Sequence, residues 1–337
     1  MAPTAKMSEN CSLCGHAVHV VTESAPGYQE GPKYTIYECE GCFSSFASPL
    51  AVEDAIYGHI YDNIQHVPGY NRYYHYAHEV LNQKRALDYL SRQEESYWAV
   101  ARHLRERRNA EGRLTILEVG CGMGYFTYAL SQDGFSVTGV DISPQAVAWA
   151  LENYGPYYAN KTLEELKAQS QRYDAIIMNQ LIEHLPDVHA FISEVLSLLT
   201  PNGELIVTTP NKSAYPDGTW ETELPPVHLW WFGEEAMKCL AKRHNCTIAF
   251  VDFEPFYTTF YRRKIPGSPL LSRQSIFDAD GKLSVSQCLR PVTPLQRIME
   301  QSGFLALLRK IRSVMVTNDR WLGAQGPICA AVLRPIR

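Results

Sequence analysis

Between residues 115 and 141 the chain runs through a β-branched segment, Thr115 to Val119, and then Gly120-Cys121-Gly122-Met123-Gly124. A helical stretch, Tyr125 to Gln132, and a second apolar segment, Ser136 to Val140, lead to Asp141. A strand that passes through glycines into a helix and returns as a strand is the start of a parallel sheet with crossover helices. The glycines let the backbone turn tightly and approach a ligand with no Cβ in the way. Asp141 follows Gly120 by 21 residues, at the next strand tip, where a carboxylate can hydrogen-bond a ribose diol. A lone glycine motif would constrain little. Glycines, strand, helix and acid in this order prescribe a doubly wound α/β domain with a ligand at the first crossover.

The alternation continues. Pro144 opens a helix in the favoured first-turn position. A weak third strand is expected near Tyr157 to Ala159, a fourth at Tyr173 to Met178, and a helix from Asp187 to Leu199 stopped by Pro201, Asn202 and Gly203. A fifth strand is expected at Glu204 to Thr209, a helix at Gly233 to Asn245, a sixth strand at Thr247 to Phe253 and a last one at Ile328 to Leu333. These give an α/β, Rossmann-like, mostly parallel seven-stranded sheet. An insert at 257–326, with a helical stretch at 295–314, is too long for a plain loop. Residues 51–112 read as a helical linker or lid, with one or two breaks between Tyr73 and Arg108, and 113–337 as the main domain. Tyr57, Tyr61, Tyr70, Tyr73, Tyr74 and Tyr76, with His59, His66, His75 and His78, crowd into the lid segment. They suit either a helix packed on the main domain or a cover over a pocket.

The first 50 residues carry a second signature. Cys11-Ser-Leu-Cys14 and Cys39-Glu-Gly-Cys42 are two C-x-x-C pairs with 24 residues between them, and short strands are expected at His16 to Glu23 and Lys33 to Glu38. Two such knuckles at hairpin tips make a zinc ribbon, with four thiolates tetrahedral on one structural Zn²⁺. So small a unit buries too little to fold alone, and zinc binding would supply roughly 10–16 kcal/mol. His16 and His19 are substitute ligands by proximity only. Nine cysteines, an odd number, argue for reduced thiols and a cytoplasmic setting rather than a disulfide framework. No apolar stretch is long enough for a membrane span. The net charge of −5 argues against a nucleic acid partner.

The glycine order distinguishes two cofactors. A dinucleotide fingerprint is G-x-G-x-x-G and aims a helix at a pyrophosphate. Here the order is G-x-G-x-G, preceded by Glu118. An acid beside a pyrophosphate is repelled. Beside the sulfonium and ammonium of S-adenosylmethionine (SAM) it is acceptable. Glu118-Val-Gly120-Cys-Gly122-Met-Gly124 resembles the first motif of class I SAM-dependent methyltransferases. Asn179-Gln180-Leu-Ile-Glu183-His184-Leu-Pro186-Asp187 and Leu198-Leu-Thr-Pro201-Asn-Gly203-Glu-Leu-Ile-Val resemble later segments of the same family. The resemblance covers 113–254 and the last strand. It implies that Gly120, Gly122 and Gly124 line the methionine moiety. It also implies that Asp141 holds the ribose, Ile142 lies on the adenine, the backbone at Thr162 and Leu163 meets the adenine edge, and Gln180 sits under the sulfonium.

The acceptor is less legible. His184, after the fourth strand, and His228, in Glu223-Leu-Pro-Pro-Val-His228-Leu-Trp230-Trp231-Phe232, are the candidate bases, with Glu183 to orient one or hold the acceptor. Helix-entry packing for His184 and loop packing for the tryptophans remain open. Tyr74, Tyr76, Trp230 and Trp231 are the candidate acceptor contacts, because flat aromatic faces suit a ring with C–H faces. The N/D-P-P-Y/F pattern of amino-directed members is absent, which disfavours N-methylation of bases. A ribbon joined to this domain resembles sugar- and glycan-modifying bacterial methyltransferases, and secondly ribosomal RNA methyltransferases. The expectation is therefore O- or C-methylation of a nucleotide sugar, surface glycan or antibiotic sugar, as in polysaccharide biosynthesis. Another small hydroxylated metabolite or RNA comes next, and then an inactive zinc-ribbon binding module. A homodimer is one use of the insert; the other is to close the pocket together with the lid.

Overall fold

The computed structural model describes residues 10–214, 223–260, 274–285 and 326–336. The chain begins with an antiparallel hairpin, β1 (Val18–Pro26) and β2 (Lys33–Cys39), followed by a short β3 (Ser45–Ser48) paired to β2. Helices follow: α1 (Asp54–Asp62), α2 (Asn71–Glu79), α3 (Ala86–Gln93) and α4 (Glu95–Glu111). The segment expected to be nearly continuous helix breaks before Ala86, where Gln83 is extended, and again at the extended Glu94.

The main domain alternates β4 (Thr115–Val119), α5 (Tyr125–Gln132), β5 (Ser136–Asp141), α6 (Pro144–Tyr154), β6 (Tyr158–Asn160), α7 (Leu163–Ala168) and β7 (Tyr173–Asn179). It continues with α8 (Val188–Ser197), β8 (Leu199–Pro210), β9 (Trp230–Trp231), α9 (Glu234–Arg243), β10 (Cys246–Phe250), α10 (Glu254–Phe260) and β11 (Ile328–Pro335). Seven strands form one sheet in the order β10-β11-β8-β7-β4-β5-β6. All neighbours from β8 to β6 are parallel, and β11 runs antiparallel to both β8 and β10. This is the expected seven-stranded, mostly parallel Rossmann-like sheet.

Local chemistry sets these elements. Ala175 to Met178 in the central β7 are fully buried, as a strand covered by helices on both faces requires. Ser143 caps α6 with Pro144 in the first turn, and Asp187 caps α8. One expectation fails here: Pro201-Asn202-Gly203 do not separate helix from strand. They lie inside β8, whose register against β7 jumps from Tyr173↔Leu199 to Ala175↔Glu204. A Cβ on Gly203 would stand 2.8 Å from the Tyr173 carbonyl, so glycine is what lets β8 pass β7 at this irregularity.

The ribbon is not an appendage. β9, from the main domain, pairs with β3 and completes a four-stranded sheet in the order β1-β2-β3-β9. Cys11, Leu13, Cys39, Cys42 and Phe46 belong to the same buried cluster as Leu117, Met178 and Trp230. α3 to α6 pack a second cluster on the opposite face of the sheet. Of the insert, α10 and 274–285 are described; Ile276 and Phe277 pack with Tyr28, Ile56 and Val227. The helical stretch expected at 295–314 lies outside the described residues. Among the described residues no helix is long and apolar enough to cross a membrane.

Candidate active site and cysteine centre

The glycine loop turns as its sequence demands. Gly120, Gly122 and Gly124 all have positive φ, at 73°, 51° and 77°. Their surroundings differ. A Cβ on Gly124 would strike the Tyr158 ring at 2.5 Å, whereas one on Gly122 would meet nothing within 4 Å. Gly122 therefore borders open space at the strand tips, and Gly124 lets α5 pack against β6. Asp141 accepts hydrogen bonds from Gly122 N at 2.8 Å and Ser143 N at 2.9 Å, tying the loop to the next strand tip while keeping oxygen lone pairs for a ribose. Ile142 is 81% exposed beside it, an apolar side chain left uncovered among the described residues.

Other cofactor candidates sit further back. Glu118 is buried beneath the loop, where Thr127 Oγ1 donates to its Oε2. Burial, aided by the charge of Asp141, pushes its carboxyl up to about 8. Leu163 is in the core, and Thr162 is engaged with Glu165 in a capping box at the start of α7. Gln180 adopts φ 54°, unusual for a residue with a side chain, with its N–H on the Thr208 carbonyl at 3.0 Å. Such a kink just past a central strand tip is typical of ligand sites.

His184 and His228 meet at the same edge, ring centroids 4.7 Å apart and nearly perpendicular. His184 Nδ1 lies 2.5 Å from the Val227 carbonyl. A carbonyl only accepts, so Nδ1 carries the proton and Nε2 keeps a lone pair. Burial holds both imidazoles below their ordinary pKa, His228 well below, with the neighbouring His184 and Arg72 adding to its shift. Both are neutral bases at pH 7. Glu183 is buried, and among the described residues neither of its carboxylate oxygens has a hydrogen-bond partner; burial raises it to about 8. Glu183, His184 and His228 each present one ligand atom within 4.8 Å of the others, a set that could hold a divalent cation.

The lid segment lies over these groups, but through other tyrosines than expected. Tyr57 OH is 3.5 Å from His184 Nδ1 and 3.5 Å from the Val227 carbonyl. Tyr61 is close enough to Asp141 and Cys121 for their charges to add to the effect of burial in raising its phenol. Tyr57 and Tyr61, four residues apart on α1, share a helix face, a signal present in the sequence. Of the expected acceptor contacts, Tyr76 is instead buried among Tyr89, Tyr97 and Tyr125, and Tyr74 stacks on His78 with centroids 4.2 Å apart. Trp230 and Trp231 lie against the ribbon. Trp230 is 1% exposed, donates to the Leu185 carbonyl at 3.0 Å and packs on Phe46; Trp231 is buried among ribbon residues. Both pack the ribbon onto the domain, and among the described residues little of either ring is exposed.

The four N-terminal cysteines come together. Their sulfurs all lie within 4.8 Å of one another, with Cys14–Cys39 at 3.3 Å and Cys11–Cys42 at 3.9 Å. A tetrahedron with Zn–S about 2.3 Å has S···S edges of about 3.8 Å. Gly41 N and Cys42 N donate to Cys39 Sγ at 3.3 and 3.4 Å, which fixes that sulfur in place. The crowded thiols oppose each other's ionisation: contact with Cys42 draws Cys11 down to about 5 and pushes Cys42 up. A cation would relieve this, so the donor set fits zinc. His16 is outside the cluster, packed against Gly41. The knuckle is docked through His189 Nε2, 3.0 Å from the Ser12 carbonyl, and Lys212, which bonds Glu38 and the Phe43 carbonyl.

Comparison with known proteins agrees with this geometry. A family described as "Methyltransferase domain" matches residues 84–249. The ubiquinone biosynthesis O-methyltransferase of Rickettsia canadensis (strain McKiel) is 39% identical over 114 residues, 32% of this chain and 48% of that protein. Its namesake in Haemophilus ducreyi (strain 35000HP / ATCC 700724) is 29% identical over 153 residues, 37% of this chain and 65% of that one. The chain thus spans about half the length of the first of these curated relatives. Among solved structures, the plantazolicin methyltransferase BpumL in complex with SAH aligns with 78% of this chain and 95% of that chain, at 12% identity and a TM-score of 0.43. With the sheet order, glycine loop and Asp141 in place, residues 84–249 are a class I, SAM-dependent methyltransferase domain.

Proposed function

We propose that the whole chain transfers the methyl group of SAM to a hydroxyl of a small ring-shaped acceptor, a sugar unit in first place, and that its ribbon holds one structural zinc. The observation that carries the hydroxyl is His184. With Nδ1–H fixed on the Val227 carbonyl and the Tyr57 hydroxyl beside that same nitrogen, Nε2 is left as the neutral lone pair. The acceptor oxygen attacks the methyl carbon in line, the carbon–sulfur bond breaks, and S-adenosylhomocysteine (SAH) leaves. The sulfonium already activates the methyl group, so the protein's work is to align the acceptor and take its proton. His228 and Glu183 back His184 and limit water in the site.

Zinc, held by Cys11, Cys14, Cys39 and Cys42, would fix the ribbon sheet to which β9 belongs. Leu229 N donates to the Glu183 carbonyl at 2.9 Å and Ala47 N to the Leu229 carbonyl at 2.9 Å. The ribbon thus braces the loop that carries His228. A carbon acceptor on a sugar would use the same base. A second reading, a phenolic hydroxyl, is favoured by the ubiquinone biosynthesis O-methyltransferases among the relatives. The net charge of −5 disfavours RNA, and the intact glycine loop disfavours an inactive binding module. The test is to incubate the full chain with methyl-labelled SAM and separate pools of nucleotide sugars, glycans and hydroxylated aromatics, then identify labelled product by mass. Label in a sugar product supports the first reading, and label in an aromatic product the second. Full SAH binding with no transfer to any pool speaks for the binding module.

A further inference from the structure

Arg72, the second residue of α2, has an arrangement unlike that of the arginines that hold the fold. Arg105 grips Asp133 with Nε at 3.0 Å and Nη2 at 2.5 Å, and reaches Asp88 as well. Arg107 bonds Glu111, Glu204 and the carbonyls of Asp174 and Asn202. Arg72 faces one carboxylate, Glu94, with Nε 2.8 Å from Oε1 but out of line for a hydrogen bond. Its other contacts among the described residues are to Tyr73: Nη2 donates to the hydroxyl at 2.9 Å, and the guanidinium carbon stands 4.7 Å from the ring centroid. The side chain is 40% exposed although it belongs to the segment that covers the strand tips.

Arg72 is linked to the acceptor side of the site through Tyr73 and Tyr70. Its charge reaches His228, and Tyr73 feels that of Glu183. Tyr73 also stands edge-on to Tyr70 at 5.7 Å, and Tyr70 and Tyr57 both pack against the buried cluster that contains Val227. An arginine fork matches a two-oxygen anion, and it binds most strongly where aromatic walls exclude water. Glu94, off line, sits at Nε and Tyr73 takes one Nη2 hydrogen, so among the described residues the end of the fork at Nη1 is the part without a hydrogen bond.

We propose that Arg72 is the oxyanion anchor of the acceptor pocket, taking a carboxylate or phosphate carried by the acceptor. This deepens the proposed methyl transfer and rests on it. An acidic group seated on Arg72 would hold the acceptor ring under Tyr57 with its hydroxyl turned toward His184. Carboxylate and phosphate share this chemistry, and two probes distinguish them: sodium benzoate for the first, inorganic pyrophosphate for the second.

The experiment titrates each probe into the full chain saturated with SAH, by calorimetry. One probe is expected to bind saturably, and Arg72→Met to weaken it at least tenfold while SAH affinity holds. Glu94→Gln, which removes the competing carboxylate, is expected to tighten the same probe severalfold. Lys238→Met, an exposed control, should change nothing. If Arg72→Met does not fold, Arg72→Lys keeps the charge without the fork and should bind the probe more weakly than wild type. The opposite signs expected for Arg72→Met and Glu94→Gln exclude a merely structural pin, which would lose both ways. The proposal is overturned if neither probe binds, or if Glu94→Gln weakens binding as Arg72→Met does. It is also overturned if Arg72→Met loses SAH affinity but keeps that for methylthioadenosine, which would assign the guanidinium to the cofactor's own carboxylate. Because SAH binding is measured separately, its loss in wild type would refute the methyltransferase reading rather than this one.

Discussion

Asp141→Ala separates two contributions of one carboxylate. The carboxylate accepts the N–H groups of Gly122 and Ser143 at 2.8 and 2.9 Å and faces the space that a ribose would take. Loss of a charge-assisted contact to a ribose hydroxyl costs about 1.5–3 kcal/mol of binding. The freed Gly122 N–H belongs to a positive-φ glycine with no side chain to hold it, so the loop loosens and its reordering on binding costs about 1 kcal/mol more. The total, about 2.5–4 kcal/mol, is roughly a hundred- to thousandfold in the SAH dissociation constant. Asp141→Asn keeps an acceptor oxygen without the charge and should fall between. Calorimetric titration of SAH gives the binding loss, and the melting temperature of the unliganded variants reports the loop. An Asp141→Ala protein that melts and binds SAH like wild type would refute both the ribose assignment and the loop's dependence on this carboxylate.

Four further expectations follow from named contacts. Metal analysis of reduced full-length protein should return one zinc per chain, and Cys39→Ser should lower both zinc content and the melting temperature; zinc-free protein with an intact ribbon would contradict the site. His184→Ala should reduce turnover by about 10²–10⁴ with SAH affinity retained, His228→Ala by less; full turnover in both would move the base elsewhere. Both histidines have depressed pKa values, so they stay neutral through pH 7 and take protons only below the usual pH 6.5. Stability should therefore weaken as pH falls below 6.5, because the unfolded state binds the extra protons first, while the activity plateau should extend below 6.5, since the folded imidazoles protonate only at lower pH; activity already falling at or above pH 6.5 would contradict this. Gly124→Val should be worse for folding than Gly122→Val, since only the first drives a Cβ into Tyr158, while Gly122→Val should act mainly on SAH affinity; equal melting temperatures would reject the distinction.

The central sheet was readable because its strands leave little choice. Ala175 to Met178 are buried on both faces, and an unbroken apolar segment between turn signals is what such a strand must be. The cysteine pairs were readable for a similar reason, since their spacing already specifies a geometry. Three kinds of detail were not. β9 is two residues long and pairs with β3, far away in the chain, so nothing local marks it. Pro201-Asn202-Gly203 looks like a stop and is a register shift, because Gly203 can pass the Tyr173 carbonyl where other residues cannot. Trp230 and Trp231 look like ligand contacts by composition, yet the ribbon needs the same apolar faces for docking. The lid tyrosines stood in the sequence as a crowd. Only the position of α1 shows that Tyr57, not Tyr74 or Tyr76, meets His184, with Tyr61 near enough to Asp141 to feel its charge.

Hydrogen exchange of the full chain with and without SAH tests the site as a whole, because cofactor loop, strand tip and lid report in one measurement. SAH should slow exchange at 120–124 and 141–143, where the backbone meets the ligand, and at 57–61, where α1 closes over it, without matching protection around 107–114 at the far end of the sheet. Unchanged exchange at 120–124, or protection confined to the far end, would contradict a methyl-transfer site at these strand tips. Protection of the glycine loop without 57–61 would leave the cofactor site standing and remove the lid.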